Sequence, residues 1–265
     1  MKKELVIIAL CLATVAGAQQ RDSLVVMDYN SKLNPDFPGN DALKKMSDRK
    51  LKIKPLLISA TLVTYGFISL ENDGLLNLNQ ELKEEVWTEH PHQLKHIDNY
   101  LQFAPAFFVF GLNAIGIKGK NNLRDISMIY LLSNIMLNTT VSSIKKISHQ
   151  LRPDGSDYYS FPSGHTTEAF ASAEFLYQEY KDVSPWYGIA GYTMAATTGY
   201  LRMYNNKHWL GDIVAGAGIG IASVKIAYWL YPKIKAALFK DKFPHTAILP
   251  SYYNKSIGLS LTHWF

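Results

Sequence analysis

Residues 161–180 read FPSGHTTEAFASAEFLYQEY, a tight turn running straight into a long, mostly apolar stretch. Pro162, Ser163 and Gly164 are turn formers, and the apolar run that opens at Ala169 marks the helix that follows them. The first N–H groups of a helix have no intrahelical partner, so this turn and the Ser163 hydroxyl form a ready cradle for an anion. Gly164 carries no Cβ to hold such an anion away from the backbone. His165 stands at the rim, where it could protonate a leaving oxygen, although a histidine in a turn is often simply solvated.

Outward from this stretch the chain contains five more apolar segments, near 54–70, 98–116, 125–147, 185–203 and 209–231. With 164–180 they make six, each about 16 to 23 residues long, close to what a bilayer crossing needs. Trp186, Trp209, Tyr228, Trp229 and Tyr231 sit at segment ends, where aromatic rings favour a headgroup boundary. Gly211, Gly216, Gly218 and Gly220 let the last segment approach its neighbours closely. The expected fold is therefore all-α, a six-helix transmembrane bundle. A soluble bundle is the competing reading, because mean hydropathy is only −0.05 and the third segment carries Asn134, Asn138, Ser142 and Ser143. Between the first two segments, Leu78, Leu82, Val86 and Trp87 fall at helical spacing opposite Glu81, Lys83, Glu84 and Glu85. That pattern fits a helix lying on a membrane or on a protein surface.

The chain divides into residues 1–18, 19–50, 51–236 and 237–265. The first is an export signal: Lys2 and Lys3, an apolar stretch from Leu5 to Ala16, and a small-residue cleavage site at Ala16-Gly17-Ala18. Cys11, the only cysteine, lies inside it, so the processed chain has no disulfide and no thiolate metal site. Residues 19–50 form an extended polar arm. In the tail, Ile257, Leu259 and Leu261 alternate with small or polar residues and can pair with Thr246–Leu249 as a β-hairpin. Basic residues cluster at 44–54, 118–124 and 233–242, which the positive-inside rule places in the cytoplasm. A cleaved signal instead places 19–54 outside. The net charge of +5 suits an anionic substrate or a membrane surface. No Lys/Arg stripe with a reading motif points to nucleic acid.

Two further blocks carry chemistry. Lys145 precedes Arg152-Pro153 by about two helical turns, so both cations can leave one helix face before the proline ends it, either to share an anion or to mark a membrane boundary. Arg202 is followed by His208 and then Asp212, the last two at helical spacing. A carboxylate so placed holds one imidazole nitrogen protonated and leaves the other free as a nucleophile, while Arg202 offers a fork of donors to phosphate oxygens. A capping pair or a metal site would use His208 and Asp212 differently, but metal ligation wants further partners that the block lacks. Glu89, His90, His92 and His96 are broken by Pro91 and do not read as a metal site.

Lys145-x6-Arg152-Pro153, Pro162-Ser163-Gly164-His165 and Arg202-x5-His208-x3-Asp212 together resemble the three signature blocks of the type 2 phosphatidic acid phosphatase (PAP2) and vanadium haloperoxidase superfamily, over roughly residues 54–231. The resemblance implies a six-helix core, with His208 as nucleophile, Asp212 as its orienter and His165 as general acid. It implies phosphate binding by Lys145, Arg152, Ser163, Gly164 and Arg202, with no metal and no other cofactor. One departure is Leu201, where the family usually has serine. The implied activity is release of phosphate from a phosphorylated lipid or lipid diphosphate, in a bacterial-type cell envelope with the site facing the periplasm. An exported soluble acid phosphatase, a haloperoxidase, and a lipid-binding protein with an idle site are the alternatives.

Overall fold

The computed structural model describes residues 53–90, 92–238, 246–253 and 256–263. The expected signal segment and arm lie outside them. Among the described residues eight α-helices follow in order: α1 (Lys54–Ile68), α2 (Asp73–Lys83), α3 (Asp98–Leu101), α4 (Ala104–Ala114), α5 (Leu123–Ser148), α6 (Gly164–Tyr180), α7 (Pro185–Tyr204) and α8 (Leu210–Leu238). A single π turn, Glu84–Thr88, extends α2. Strands β1 (Thr246–Tyr253) and β2 (Ser256–His263) pair antiparallel, from Thr246 opposite His263 to Tyr253 opposite Ser256.

Short side chains set the helix starts. Asn72, Asn122, Ser163 and Ser184 each accept a backbone N–H of the helix they open, and Pro55, Pro105 and Pro185 occupy first-turn positions where no N–H is needed. Three helix boundaries differ from the sequence reading by more than two residues; the last segment, expected to end at 231, runs on through Pro232 to Leu238. The segment 98–116 breaks into α3 and α4 because Pro105 requires a fresh first turn. The helix expected from Leu78 begins at Asp73, since Asn72 caps it earlier.

Helix α6 is the hub, packed against α4, α5, α7 and α8, while α1 lies along α8. Phe175, Leu176 and Tyr180 of α6 meet Val109, Ile126, Ile129, Leu137, Val224 and Ala227 in one core cluster. The α6–α8 crossing depends on glycine. A Cβ on Gly220 would stand 2.3 Å from the Thr167 carbonyl oxygen, and one on Gly216 would stand 2.8 Å from that of Ser163. This contact locks the start of α6 to the start of α8, where the second and third motif blocks lie.

The polarity of the bundle is partly inverted. Leu57, Ile58, Phe107, Phe108, Leu131, Ile135 and Trp186 are exposed, whereas Glu168, Glu174 and Glu179 of α6 are buried. Each of these three glutamates is hydrogen-bonded: Glu168 accepts from Tyr130 Oη (2.7 Å), Glu174 from Gln178 and Tyr192, and Glu179 from Asn121 and Tyr228. Among the described residues one helix, over Leu210–Ala236, is long and apolar enough to cross a membrane; Lys54–Ile68 and Ala104–Ala114 are shorter apolar helices.

Candidate active site

The three motif blocks converge at one end of the bundle, where α5 and α7 end and α6 and α8 begin. His208 lies in the turn before α8 and is 3% exposed. Its Nδ1 is 3.2 Å from Asp212 Oδ2, and its Nε2 is 3.4 Å from Arg152 Nη1. A carboxylate accepts and a guanidinium donates, so these neighbours select the tautomer with the proton on Nδ1 and the lone pair on Nε2. Burial, reinforced by Arg202, Lys145 and Arg152, holds the His208 imidazolium well below the usual histidine range, so the ring is neutral at physiological pH.

Asp212 sits at the third position of α8 and reaches back to accept the Trp209 N–H at 3.0 Å, the carboxylate half of a capping box. The same oxygen accepts from Ser160 Oγ at 2.5 Å. Capping and orienting histidine, posed as alternatives from the sequence, are here done by one carboxylate. Among the described residues no group of three or more His, Cys, Asp or Glu side chains is arranged to hold a metal ion. His92 instead stacks on Tyr204, with ring centroids 3.5 Å apart.

The two cations of the first block do not share a helix face. Helix α5 ends at Ser148, and His149 turns left-handed with φ 44°, so Arg152 belongs to the loop that follows. A residue before proline is pushed out of the α region, which forbids the helix from running through Arg152 to Pro153. Loop contacts bring Arg152 back: Nε donates to Asp157 Oδ1 at 2.8 Å and Nη1 to the Lys207 carbonyl at 3.2 Å. The same ion pair holds the Asp157 carboxyl below the usual carboxylate range. Lys145 Nζ donates to the Tyr159 carbonyl at 2.5 Å and the Ser160 carbonyl at 3.3 Å, joining the end of α5 to this loop.

Ser163 caps α6, and its buried hydroxyl accepts from Thr166 Oγ1 at 2.9 Å. A Cβ on Gly164 would meet no protein atom within 4 Å, so chain packing does not require glycine there, and that side of the α6 start is open to an anion. His165 is half-buried, with Nε2 2.9 Å from Asn99 Oδ1. Arg202 is buried on α7 and donates from Nη1 to Asp98 Oδ2 at 2.5 Å. All eight expected site residues therefore gather at one end of the bundle. Sequence reasoning missed Asp98, Asn99, Asp157 and Ser160. The first two lie 104 and 66 residues from the side chains they hold, a separation that no motif spacing reveals.

Residues 126–236, which contain every one of the eight, match the model of the PAP2 superfamily. The chain is 31% identical over 221 residues to a lipid A 1-phosphatase of Porphyromonas gingivalis, covering 83% of this chain and 46% of that protein. It is 35% identical over 83 residues to a lipid A 4'-phosphatase of Bacteroides thetaiotaomicron, covering 31% of this chain and 36% of the relative. The chain thus spans less than half the length of these curated relatives. Among solved structures it resembles LpxE of Aquifex aeolicus, with 22% identity, a TM-score of 0.45, and coverage of 57% of this chain and 94% of that one. It also resembles the transmembrane PAP2-type phosphatidylglycerolphosphate phosphatase of Bacillus subtilis, with 16% identity, a TM-score of 0.46, and coverage of 72% and 100%. All three signature blocks lie inside the segment that matches the PAP2 superfamily model.

Proposed function

We propose that this protein is a metal-independent phosphatase that removes phosphate from a phosphorylated envelope lipid of the lipid A class, through a phosphohistidine on His208. The observation that carries the mechanism is the setting of His208: an imidazole held neutral, with Nδ1 against Asp212 and the Nε2 lone pair turned to Arg152. A phosphate drawn to Arg152 is thereby brought to the nucleophilic nitrogen. Nε2 attacks phosphorus, the P–O bond to the lipid breaks, and His165 protonates the departing oxygen. Water, giving its proton to His165, then attacks the phosphohistidine, the P–N bond breaks, and inorganic phosphate leaves. Asp212 stabilises the positive ring of the intermediate, and Lys145, Arg152, Arg202, Ser163 and the Gly164 N–H neutralise the equatorial oxygens.

The choice of a lipid rests on the two lipid A phosphatase relatives and on the exposed apolar side chains around a bundle that encloses carboxylates. These features favour a protein of the cell envelope, with α8 among its membrane-crossing helices and the site facing the periplasm. The test is phosphate release by detergent-purified full-length protein from lipid A, phosphatidylglycerol phosphate and a water-soluble ester, with EDTA present and His208→Ala alongside. Turnover of lipid A above the other two, abolished in the variant, is expected. Preference for the soluble ester would overturn the lipid assignment, and equal activity in His208→Ala would overturn the mechanism.

A further inference from the structure

Helix α3 places two adjacent side chains on two different motif residues. Asp98, buried, holds Arg202 of α7, and Asn99, exposed, meets His165 of α6. Both lie outside the three signature blocks and outside the segment matched by the family model. The chain leading into α3 is itself fastened to the end of α7. Asn205 Oδ1 accepts the Lys95 N–H at 2.8 Å, Asn205 Nδ2 donates to the Lys95 carbonyl at 2.6 Å, and His92 Nε2 meets the Tyr204 carbonyl at 2.7 Å. Gln102 Nε2 donates to the Asn99 carbonyl at 2.9 Å and steadies α3 from its far side. The segment from His92 to Gln102 is therefore referenced to α7, three residues before His208, and not to the apolar core.

We propose that Asp98 and Asn99 are positioning residues, Asp98 fixing the plane of the Arg202 guanidinium and Asn99 fixing the ring of His165. The inference rests on the phosphatase reading given above and deepens it. An amide oxygen only accepts, so the contact with Asn99 keeps a proton on His165 Nε2 and sets the ring plane before a substrate arrives. Arg202 is a flat fork whose use depends on its orientation, and the carboxylate of Asp98 fixes one of its arms. The charged and titratable groups facing His165 are Arg202 on α7, Asp98 on α3, Arg152 in the loop, Lys145 on α5 and His208 before α8. Four of the five are cationic or can become so. A single added negative charge at position 99 therefore acts on the histidine directly, which a merely structural substitution does not do.

The experiment uses full-length protein in detergent with lipid A as substrate, read as kcat and KM across pH. A ring titration of His165 by NMR accompanies it, assigned by the signal lost in His165→Gln. Asn99→Ala is expected to lower kcat about tenfold with KM within about twofold, since a positioned general acid is worth roughly 10²–10⁴-fold and only its orientation is lost. Asn99→Asp is expected to move the alkaline limb of kcat, and the His165 titration with it, upward by about one pH unit. Asp98→Ala is expected to raise KM about tenfold, partly recovered in Asp98→Glu. If Asn99→Asp leaves both the limb and the His165 titration where the parent has them, the inference is overturned. If the parent itself releases no phosphate, the phosphatase reading fails alone, and the His165 titration in Asn99→Asp still decides whether residue 99 governs that ring.

Discussion

Asp212→Asn is the most informative single change, because the variant keeps the shape of the side chain and removes only its charge and one acceptor. In the parent, Oδ2 accepts from Ser160 Oγ, the Trp209 N–H and His208 Nδ1. An asparagine that keeps its oxygen toward Ser160 and Trp209 offers the Nδ1–H a neutral amide oxygen in place of a charged one, a weaker acceptor. A weaker acceptor holds the proton on Nδ1 less firmly, so the tautomer with the proton on Nε2, which lacks the nucleophilic lone pair of the proposed mechanism, gains population. A hydrogen bond to a charged group is worth about 1.5–3 kcal/mol, or roughly ten- to 150-fold in the population of the productive tautomer. Loss of the negative charge facing the positive ring of the proposed intermediate adds to this, and the Asp-to-Asn change beside the general-base histidine of a serine protease costs about 10⁴-fold. The expected fall in kcat is therefore about 10³–10⁴-fold, with KM little changed. The fold should survive, because a neutral amide at this buried site needs no charge compensation. Asp212→Ala is a poorer test, since it strands Ser160 Oγ and the Trp209 N–H at about 1–3 kcal/mol each. The assay is phosphate release under substrate saturation, with thermal unfolding as the fold control. A folded Asp212→Asn protein retaining more than about a tenth of the parent kcat would refute the argument that Asp212 sets the tautomer.

Two other predictions follow from burial and packing. His208 is neutral when folded and titrates near 6.5 when unfolded, so its contribution to stability is complete above about pH 6.5 and declines as pH falls below it. Thermal unfolding between pH 8 and pH 5 should show this decline, and His208→Gln should flatten it; an unchanged slope in the variant would refute it. Gly220→Ala drives a methyl group into the Thr167 carbonyl and should destabilise the fold by about 1–3 kcal/mol, lowering activity through the shared α6–α8 contact, as denaturant unfolding in detergent would measure. Stability equal to the parent would mean that the two helices can part without loss.

The helices were legible because their signals are local. The apolar segments at 164–180 and 185–203 coincide with α6 and α7 to within a residue, since Ser163, Ser184 and Pro185 punctuate the chain where the helices start. Where a local signal and a longer-range one competed, the sequence reading went astray. The spacing of Lys145 and Arg152 invited a common helix face, yet the dihedral restriction before Pro153 and the left-handed His149 ended the helix first. The inner carboxylates were equally hidden: nothing in the period of α6 tells Glu174 from a solvent-facing residue, because its partners Tyr192 and Lys225 come from two later helices.

The site divides in the same way, and the division has a physical origin. Under the proposed mechanism, motif residues that contact a shared phosphate must be of fixed chemical type, so their identities and short spacings show in one sequence. The residues that orient them need only supply an acceptor at the right place, and many segments can do so. Ser160, Asp157, Asp98 and Asn99 are such acceptors or donors, each holding a motif residue by one or two hydrogen bonds. Asp157 reaches Arg152 from five residues away, within the same loop, whereas Asp98 reaches Arg202 from the other side of α4, α5 and α6 in the chain. The buried Arg202–Asp98 pair is the more consequential of the two, since breaking such a pair by removing one partner costs about 3–5 kcal/mol, against at most about 1 kcal/mol for an exposed one. An arginine so tethered presents a fixed face to any anion that reaches the start of α6. In the proposed mechanism, the precision of phosphate binding therefore depends on residues that carry no signature of phosphate chemistry themselves.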